Sequence, residues 1–225
     1  PKLMTVLGMG IEDGDADYIE MPSYFPPKNS PIIHIPTARI NHRATEADMA
    51  MWVARIDQII DRRMDRKGIV FTTSYARRDL LLKGSRHRDI MVSHSTKDVV
   101  QTVNRFKEME APVVLVSPSV TSGDDFPMED GNAQYLIIGK IPYPDTTAPA
   151  VKARMEIDKD WTSWMAMQTL VQSAGRINRS ITDKGEIFIC DDGWKWFWPT
   201  YRKMAPAWFG QRVMGSRSVV PDPAF

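Results

Sequence analysis

Residues 68–75 read GIVFTTSY, a short apolar run that passes directly into hydroxyl side chains. The run predicts a buried strand at 68–72, and the pattern that follows predicts a helix at 76–83. Residues 72–75 therefore lie where a strand ends and a helix begins. Hydroxyls and backbone amides at such a position favour contact with a phosphate group, although Ser and Thr are also the preferred helix caps.

The alternation of apolar runs and helical patterns extends outward from this stretch. Thr45 and Asp48 resemble a capping box, and apolar residues at three- and four-residue intervals then predict an amphipathic helix to about residue 66. Alternation of this kind predicts an α/β domain with a mainly parallel sheet flanked by helices. Further strands are predicted at 89–92, 112–116, 134–139 and 186–190, and further helices at 96–107 and across about 150–180.

We divide the chain into three segments. Residues 1–43 are rich in Pro, Gly and Asp and predict an irregular N-terminal segment packed on the domain, with weak strands at 17–21 and 31–35. Residues 44–192 carry the α/β alternation. Residues 193–225 form an aromatic and basic C-terminal extension, whose tryptophans either stack on nucleic-acid bases or pack against the sheet, and we favour packing.

The composition is that of one large globular domain, with 225 residues and a net charge of +1. Because that balance neither favours nor opposes a nucleic-acid partner, any binding surface has to be local. The single cysteine, Cys190, excludes an internal disulfide and a cysteine-based metal or iron–sulfur site, and we expect an inert core thiol. Without a membrane-spanning run or a signal peptide, a cytoplasmic or nucleoid-associated, non-secreted protein is expected. The chain opens on Pro1, which suggests a fragment or a processed piece.

Residues 172–179 read QSAGRINR and place three polar side chains at helical spacing. At about 100° per residue, Gln172, Arg176 and Arg179 fall within roughly 60° of one another on a helix. Such a helix could hold a fork of guanidinium groups toward a cleft, which suits a phosphoryl group that gathers negative charge. The alternative is a solvated arginine face on an ordinary amphipathic helix. The opposite side carries the apolar residues Leu170, Ala174, Ile177 and Ile181.

The loop at 117–126 reads SPSVTSGDDF and directly follows a predicted strand. Ligands gather at the carboxyl ends of the strands in a parallel sheet, so this loop is expected at a binding edge. Gly123 permits a close backbone approach, and Asp125 could orient an arginine or accept from a ribose hydroxyl. Thr121 and Ser122 could donate to phosphates. An ordinary turn is the alternative.

Other sites have less support in the sequence. The four histidines show no paired ligand spacing, so a zinc site is not expected. Asp191 and Asp192 follow a predicted strand, and without a partner motif we favour a helix-capping or solvated role for them. The chain lacks the Gly-x-x-x-x-Gly-Lys-Ser/Thr pattern of a nucleotide cradle. It therefore offers arginines to a phosphate but no loop to hold one.

Three stretches in order, at 68–75, 116–125 and 172–179, resemble motifs IV, V and VI of superfamily 2 helicases, most closely those of the XPD/DinG group of DNA helicases. The resemblance covers roughly residues 1–210, and motif VI is its specific part. It implies a RecA-like three-layer domain, the second of two such lobes. The first lobe of these enzymes carries the nucleotide cradle, the Mg²⁺-binding acidic motif and, in many members, an iron–sulfur cluster.

The resemblance also implies roles for individual residues. Arg176 and Arg179 would act as arginine fingers toward ATP bound on the first lobe, with Gln172 beside the same phosphate. Gly123 and Asp125, which would couple nucleotide state to lobe closure, and Gly175 would lie on the ATP side. The residues implied to contact single-stranded DNA are Thr73, Ser74, Tyr75, Thr121 and Ser122. Ser122 stands where the family often has Glu, which departs from the pattern.

The resulting hypothesis is the C-terminal motor domain of an ATP-dependent DNA helicase, translocating 5′ to 3′ if the family rule holds. ATP and Mg²⁺ would be held mainly by a first lobe absent from this chain, so the chain alone should barely hydrolyse ATP. The expected partners are that lobe and single-stranded DNA, with no membrane and no iron–sulfur cluster in this chain. The alternative is a non-catalytic module that binds single-stranded DNA or a partner protein and retains the helicase fold.

Overall fold

The computed structural model describes residue 19 and residues 23–119, 133–178 and 180–225. Its strands are β1 at Ile32–His34, β2 at Lys67–Phe71, β3 at Met91–Ser93, β4 at Val113–Ser117, β5 at Tyr135–Ile138, β6 at Glu186–Ile189 and β7 at Val213–Ser216. Its α-helices are α1 at Glu46–Asp61, α2 at Tyr75–Gly84, α3 at Val99–Glu108, α4 at Pro149–Ile157, α5 at Trp161–Ala174, α6 at Trp194–Tyr201 and α7 at Ala207–Arg212.

All of these strands join one parallel sheet in the order β3-β4-β2-β5-β6-β1-β7. In the interior strand β2, Ile69 pairs with Leu115 of β4 on one side and with Leu136 of β5 on the other. Ile69 and Phe71 belong to one apolar cluster, whereas Val70 belongs to a second cluster on the opposite face. Both faces of the sheet are therefore covered, and the predicted α/β architecture with flanking helices is confirmed.

The helices form the two outer layers. Trp52 of α1 belongs to one cluster, whereas Phe106 of α3, Leu170 of α5 and Phe197 of α6 belong to the other. Trp52 also donates from Nε1 to the Gly139 carbonyl at 2.7 Å, which ties α1 to the end of β5. Within the described ranges, no helix is both long enough and apolar enough to cross a membrane.

Helix α1 begins as the sequence predicts and ends earlier. Thr45 Oγ1 accepts from the Asp48 N–H at 3.1 Å, and the Asp48 carboxylate accepts from the Thr45 N–H at 2.8 Å, which confirms the capping box. The helix ends at Asp61, not near residue 66. Just beyond that end, Arg63 lies against Glu186 of β6, and their side chains are 0% and 1% exposed. The helix ends here because the chain has to turn toward the sheet to bury Arg63 against Glu186.

Two strands come from the segments outside residues 44–192. β1 lies within the weak strand predicted at 31–35 and pairs with both β6 and β7. β7, which the sequence does not predict, lies within the segment 193–225 and forms one edge of the sheet. Three of its four residues are exposed, so its sequence lacks the apolar alternation that predicts a strand. It belongs to the sheet through backbone pairing with β1.

The aromatic residues of the C-terminal segment mostly pack against the sheet, as we favoured. Trp194, Phe197 and Phe209 are buried in the apolar cluster that α3 and α5 also line. Trp194 and Trp198 stack with ring centroids 5.2 Å apart and an angle of 12° between their planes. Trp196 differs, because 52% of its surface is exposed although it lies on the same helix.

Candidate functional site

The carboxyl end of β2 leads into a turn that hydrogen bonds of Thr72 stabilise. The Thr72 N–H donates to the Ser117 carbonyl at 2.9 Å, and Thr72 Oγ1 donates to the Ser74 carbonyl at 3.1 Å. Thr72 is fully buried, so its hydroxyl shapes the turn and does not reach a ligand. The residues left to face a ligand at this strand end are those that follow it.

Thr73 and Ser74 form a pair of hydroxyls organised by one arginine. Thr73 adopts φ 62°, a left-handed conformation that is strained for a β-branched residue. Arg77 Nη1 donates to Thr73 Oγ1 at 3.1 Å and to Ser74 Oγ at 2.8 Å, and Ser74 also caps α2. Neither hydroxyl donates to another residue in the ranges that the structure describes. Both O–H groups therefore remain to donate to a ligand oxygen.

Tyr75 and Arg77 complete this part of the edge. Arg77 is partly buried, and burial lowers the pKa of its guanidinium while the charge of Asp191 opposes that shift. Tyr75 is 37% exposed, and the guanidinium of Arg78 lies 4.6 Å from its ring centroid. The residues predicted after β2 thus present two hydroxyls and an aromatic ring together. Arg77, which the sequence reasoning missed, could have been found as a basic residue within the first turn of α2.

A buried histidine, which the sequence reasoning also missed, connects the ends of β3 and β4 by a hydrogen bond. His94 directly follows β3, is 3% exposed, and its Nε2 lies 2.7 Å from Ser117 Oγ at the end of β4. Ser117 Oγ in turn accepts from the Ser119 N–H at 3.2 Å. These contacts hold the start of the loop predicted to bind phosphates. Within that loop, Thr121, Ser122, Gly123 and Asp125 lie outside the described residues.

Asp191, just beyond the end of β6, is a buried carboxylate. Of the helix-capping or solvated role that we favoured, the solvated one is therefore wrong, whereas its contact with the Gly193 N–H lies at the start of α6. The Asp191 carboxylate accepts from the backbone N–H groups of Ile40 at 3.2 Å, Ile141 at 3.0 Å and Gly193 at 2.8 Å. Burial raises the pKa of this carboxyl, and the three amides oppose the shift. Its neighbour Asp192 accepts from the Thr37 N–H and from Lys195 Nζ. Both aspartates therefore connect, by hydrogen bonds, chain segments that lie at the carboxyl ends of the strands.

The residues at 172–178 do not form the continuous helical face that the sequence predicts. Helix α5 ends at Ala174, Gly175 caps it, and Arg176 lies beyond the last turn. Gln172 is exposed on that turn, and Arg176 is partly exposed. Ile177 is buried as expected, whereas Ile181 is 61% exposed and does not belong to an apolar face. Arg179 lies outside the described residues.

The described residues between Gly175 and Gly185 lie at the amino ends of the strands. The Glu186 N–H donates to the Gln134 carbonyl at 3.0 Å, just ahead of β5, and Asn29 Nδ2 donates to the Ile181 carbonyl at 3.2 Å, just ahead of β1. Thr73 and Ser74 lie at the carboxyl edge, one strand length or about 16 Å away. Of the predicted site residues that the structure describes, Thr73 and Ser74 therefore lie at the opposite ends of the strands from Gly175 and Arg176.

The described residues contain no group of three His, Cys, Asp or Glu side chains that could hold a metal ion. Cys190 is fully buried in the apolar layer that α1 covers, and burial raises the pKa of its thiol. An inert core thiol at Cys190 is what the sequence predicts.

Comparison with known proteins shows which family and which solved structures share this architecture. The family model described as the helicase C-terminal domain matches residues 58–212. The structure of Xpd4 from S. tokodaii matches with a TM-score of 0.58 and 15% identity, over 83% of this chain and 38% of that chain. A structure named XPD helicase matches with a TM-score of 0.61 and 16% identity, over 79% of this chain and 34% of that chain.

A structure of S. cerevisiae Dbp5 bound to RNA and ADP BeF₃ matches with a TM-score of 0.57 and 12% identity, over 90% of this chain and 45% of that chain. No curated protein matches the chain by sequence. The chain thus spans between about a third and a half of each of these solved helicase chains. At this level of identity the matches establish a shared fold, and they confirm the predicted RecA-like domain.

Proposed function

This chain belongs to the helicase C-terminal domain family, and we propose that it acts as the second motor lobe of an ATP-dependent DNA helicase of the XPD/DinG type. The observation that carries the proposal is the placement of two polar surfaces at opposite ends of the strands of one sheet. Thr73 and Ser74 lie at the carboxyl edge, and Gln172 and Arg176 lie at the amino edge. One lobe with two such surfaces can respond to a nucleotide at one edge and hold a nucleic acid at the other.

At the carboxyl edge, Thr73 and Ser74 would bind the backbone of single-stranded DNA. Their O–H groups are free to donate to phosphate oxygens because both oxygens already accept from Arg77. The guanidinium adds positive charge behind the hydroxyls, which favours an anionic ligand. Tyr75 presents a partly exposed ring next to them, which suits contact with a base or a sugar.

At the amino edge, Arg176 would extend its guanidinium toward the phosphoryl group of ATP held with Mg²⁺ by a first lobe. ATP supplies the phosphoryl group that water attacks, and charge builds up on its oxygens during that transfer. A planar, permanently charged side chain just beyond the end of α5 can meet two of those oxygens. Gln172, exposed on the last helical turn, would lie beside the same group. Arg179 remains a predicted member of this surface. Gly123 and Asp125, which lie in the loop that follows β4, keep their predicted role of coupling nucleotide state to lobe closure.

Alternating lobe closure would turn hydrolysis into movement along the strand. Contact between Arg176 and ATP closes the cleft between the lobes, and loss of the γ-phosphate releases that contact. Because Thr73 and Ser74 are attached to the same sheet, each closure shifts their position on the DNA relative to the first lobe. We expect translocation from 5′ to 3′.

Unwinding by the parent protein that contains both lobes tests this proposal. We expect ATP-dependent separation of a duplex that carries a 5′ single-stranded tail, and little separation of the same duplex with a 3′ tail. Preference for the 3′ tail would refute the polarity. Tight binding of single-stranded DNA without DNA-stimulated ATP hydrolysis would favour the alternative, a non-catalytic binding module.

The strained turn at Thr73 gives a second prediction. We expect Thr73→Gly to leave the free energy of unfolding unchanged or raise it by up to about 1 kcal/mol, because glycine adopts positive φ without strain. The same change should weaken binding of a single-stranded oligonucleotide about tenfold, because a hydrogen bond to a charged group is lost. Thr73→Ser, which keeps the hydroxyl, is the control and should bind normally. If Thr73→Gly binds as tightly as the wild-type chain, Thr73 is not a DNA contact.

A further inference from the structure

A small pocket opens at the carboxyl ends of β5 and β6, beside the surface formed by Thr73 and Ser74. Its volume is about 120 Å³, roughly that of four water molecules, which matches a group as small as a phosphate. It lies next to the β2 surface because β5 pairs directly with β2. The side chains and backbone that line it belong to Arg39, Ile40, Asn41, Lys140, Ile141, Tyr143, Asp191, Gly193 and Trp196.

Two cationic side chains line this pocket, those of Arg39 and Lys140. Arg39 is exposed, and Lys140 is partly buried. Within the described ranges, neither side chain forms a hydrogen bond or an ion pair. Burial lowers the pKa of Lys140, and the nearby charge of Arg77 lowers it further. An anion in the pocket would relieve both effects, since it would replace lost solvation and offset the repulsion between cations.

Among the described residues that line the pocket, Asp191 is the one carboxylate, and it already accepts hydrogen bonds from the backbone. Asp191 accepts from three backbone N–H groups and is 3% exposed, so its oxygens are directed into the protein. Its charge is stabilised by those amides and still attracts Lys140 and Arg77. Arg39 and Lys140 nevertheless outnumber it among the lining residues, and the wall keeps a net positive charge.

Trp196 adds an aromatic surface to the rim of the pocket. It is 52% exposed, whereas Trp194 and Phe197 on the same helix are buried. Its ring meets that of Tyr201 edge to face, with centroids 5.3 Å apart and an angle of 87° between the planes. An exposed indole held in a fixed orientation beside cations is the arrangement that stacks nucleic-acid bases.

We infer that Arg39, Lys140 and Trp196 form a second contact site for single-stranded DNA, in which the two cations bind one backbone phosphate and the indole stacks on a neighbouring base. The inference rests on the proposed function and extends its DNA surface beyond the helicase motifs. From the end of β2 to the end of β6 is two strand spacings, or about 10 Å, so the two contact regions can hold one strand continuously.

Binding measured by fluorescence anisotropy tests the site with two probes, an oligothymidylate and an abasic oligonucleotide of the same length. We expect Trp196→Ala to weaken oligothymidylate binding about 5- to 100-fold and to leave binding of the abasic probe unchanged, because only the base is stacked. The double variant Arg39→Ala/Lys140→Ala should weaken both probes. It should also reduce the slope of log affinity against log salt by about 0.7, the loss of one phosphate contact.

Matched controls are Lys83→Ala and Tyr24→Ala, which remove an exposed lysine and an exposed aromatic residue away from this pocket, and both should bind like the wild-type chain. Binding by Trp196→Ala and by the double variant at wild-type strength would overturn the second site alone, provided that Thr73→Gly is weakened. Equal weakening of both probes by Trp196→Ala would overturn the stacking. A wild-type chain that binds neither probe would overturn the proposed DNA function, and this site with it.

Discussion

Replacing Arg176 by alanine in a protein that carries both proposed lobes is expected to reduce ATP turnover on the order of 10³-fold and to leave single-stranded DNA binding largely unchanged. The guanidinium would stabilise charge that develops on the transferring phosphoryl group, and alanine removes that stabilisation from the transition state. DNA binding should persist because Thr73 and Ser74 lie at the opposite edge of the sheet, about 16 Å away.

Steady-state ATPase rates at saturating DNA, together with anisotropy of a labelled oligonucleotide, measure the two effects separately. Arg105→Ala, which removes an exposed arginine from α3, is the matched control and should turn over normally. Arg176→Lys keeps the charge but not the planar fork and should fall between the two. If Arg176→Ala hydrolysed ATP at the wild-type rate, the arginine-finger role of Arg176 would be refuted. A thermal unfolding curve shows whether the variant is folded, because Arg176 also makes contacts within the protein.

The second large effect concerns stability and the buried pair Arg63–Glu186. Arg63 Nε and Nη2 donate to the two Glu186 oxygens at 2.8 Å each, and the two side chains are 0% and 1% exposed. We expect Arg63→Ala to lower the free energy of unfolding by about 3–5 kcal/mol, because it leaves the Glu186 carboxylate buried without a counter-charge. The guanidinium also lies 4.5 Å from the ring centroid of Phe188 and donates to the Pro221 carbonyl.

Urea unfolding of the chain measures this loss, and two controls identify its cause. Arg62→Ala removes the neighbouring but exposed arginine and should cost less than about 1 kcal/mol. The double variant Arg63→Met/Glu186→Met removes both buried charges and should be much less destabilised than Arg63→Ala, since no unpaired charge remains. A double variant as unstable as Arg63→Ala would show that lost packing, and not the stranded carboxylate, is responsible.

The strands were predictable because their signal is local. Each buried strand of the interior is a short apolar run with side chains for both faces, as Ile69, Val70 and Phe71 illustrate. The start of α1 was equally predictable, since the capping box at Thr45 involves a partner three residues away. The helicase order of the motifs then led to the RecA-like fold that the comparisons confirm.

The end of α5 was not predictable from periodicity. Ala174 and Ile177 are both buried and continue the helical spacing, yet the helix stops between them at Gly175. The spacing of apolar residues indicates which side chains are buried and not which backbone carries them. After the chain leaves the helix, it can still bury the next apolar residue. The prediction therefore had three correct interior residues, Leu170, Ala174 and Ile177, but the wrong backbone, and it wrongly included the exposed Ile181. Strand β7 was missed for the opposite reason, because it buries almost no side chains.

The alternating elements and the hydroxyl turn after β2 follow from the sequence alone, because each depends on neighbours within a few positions. Only the tertiary structure decided that Arg63 meets Glu186, that Tyr135 needs the glycine at 68, and that Arg39, Lys140 and Trp196 share one pocket. A Cβ at Gly68 would lie 2.0 Å from Cζ of Tyr135, a contact that no local pattern in GIVFTTSY reveals. Such contacts depend on which strands become neighbours, and the order of strands in a sheet is set by packing over the whole chain.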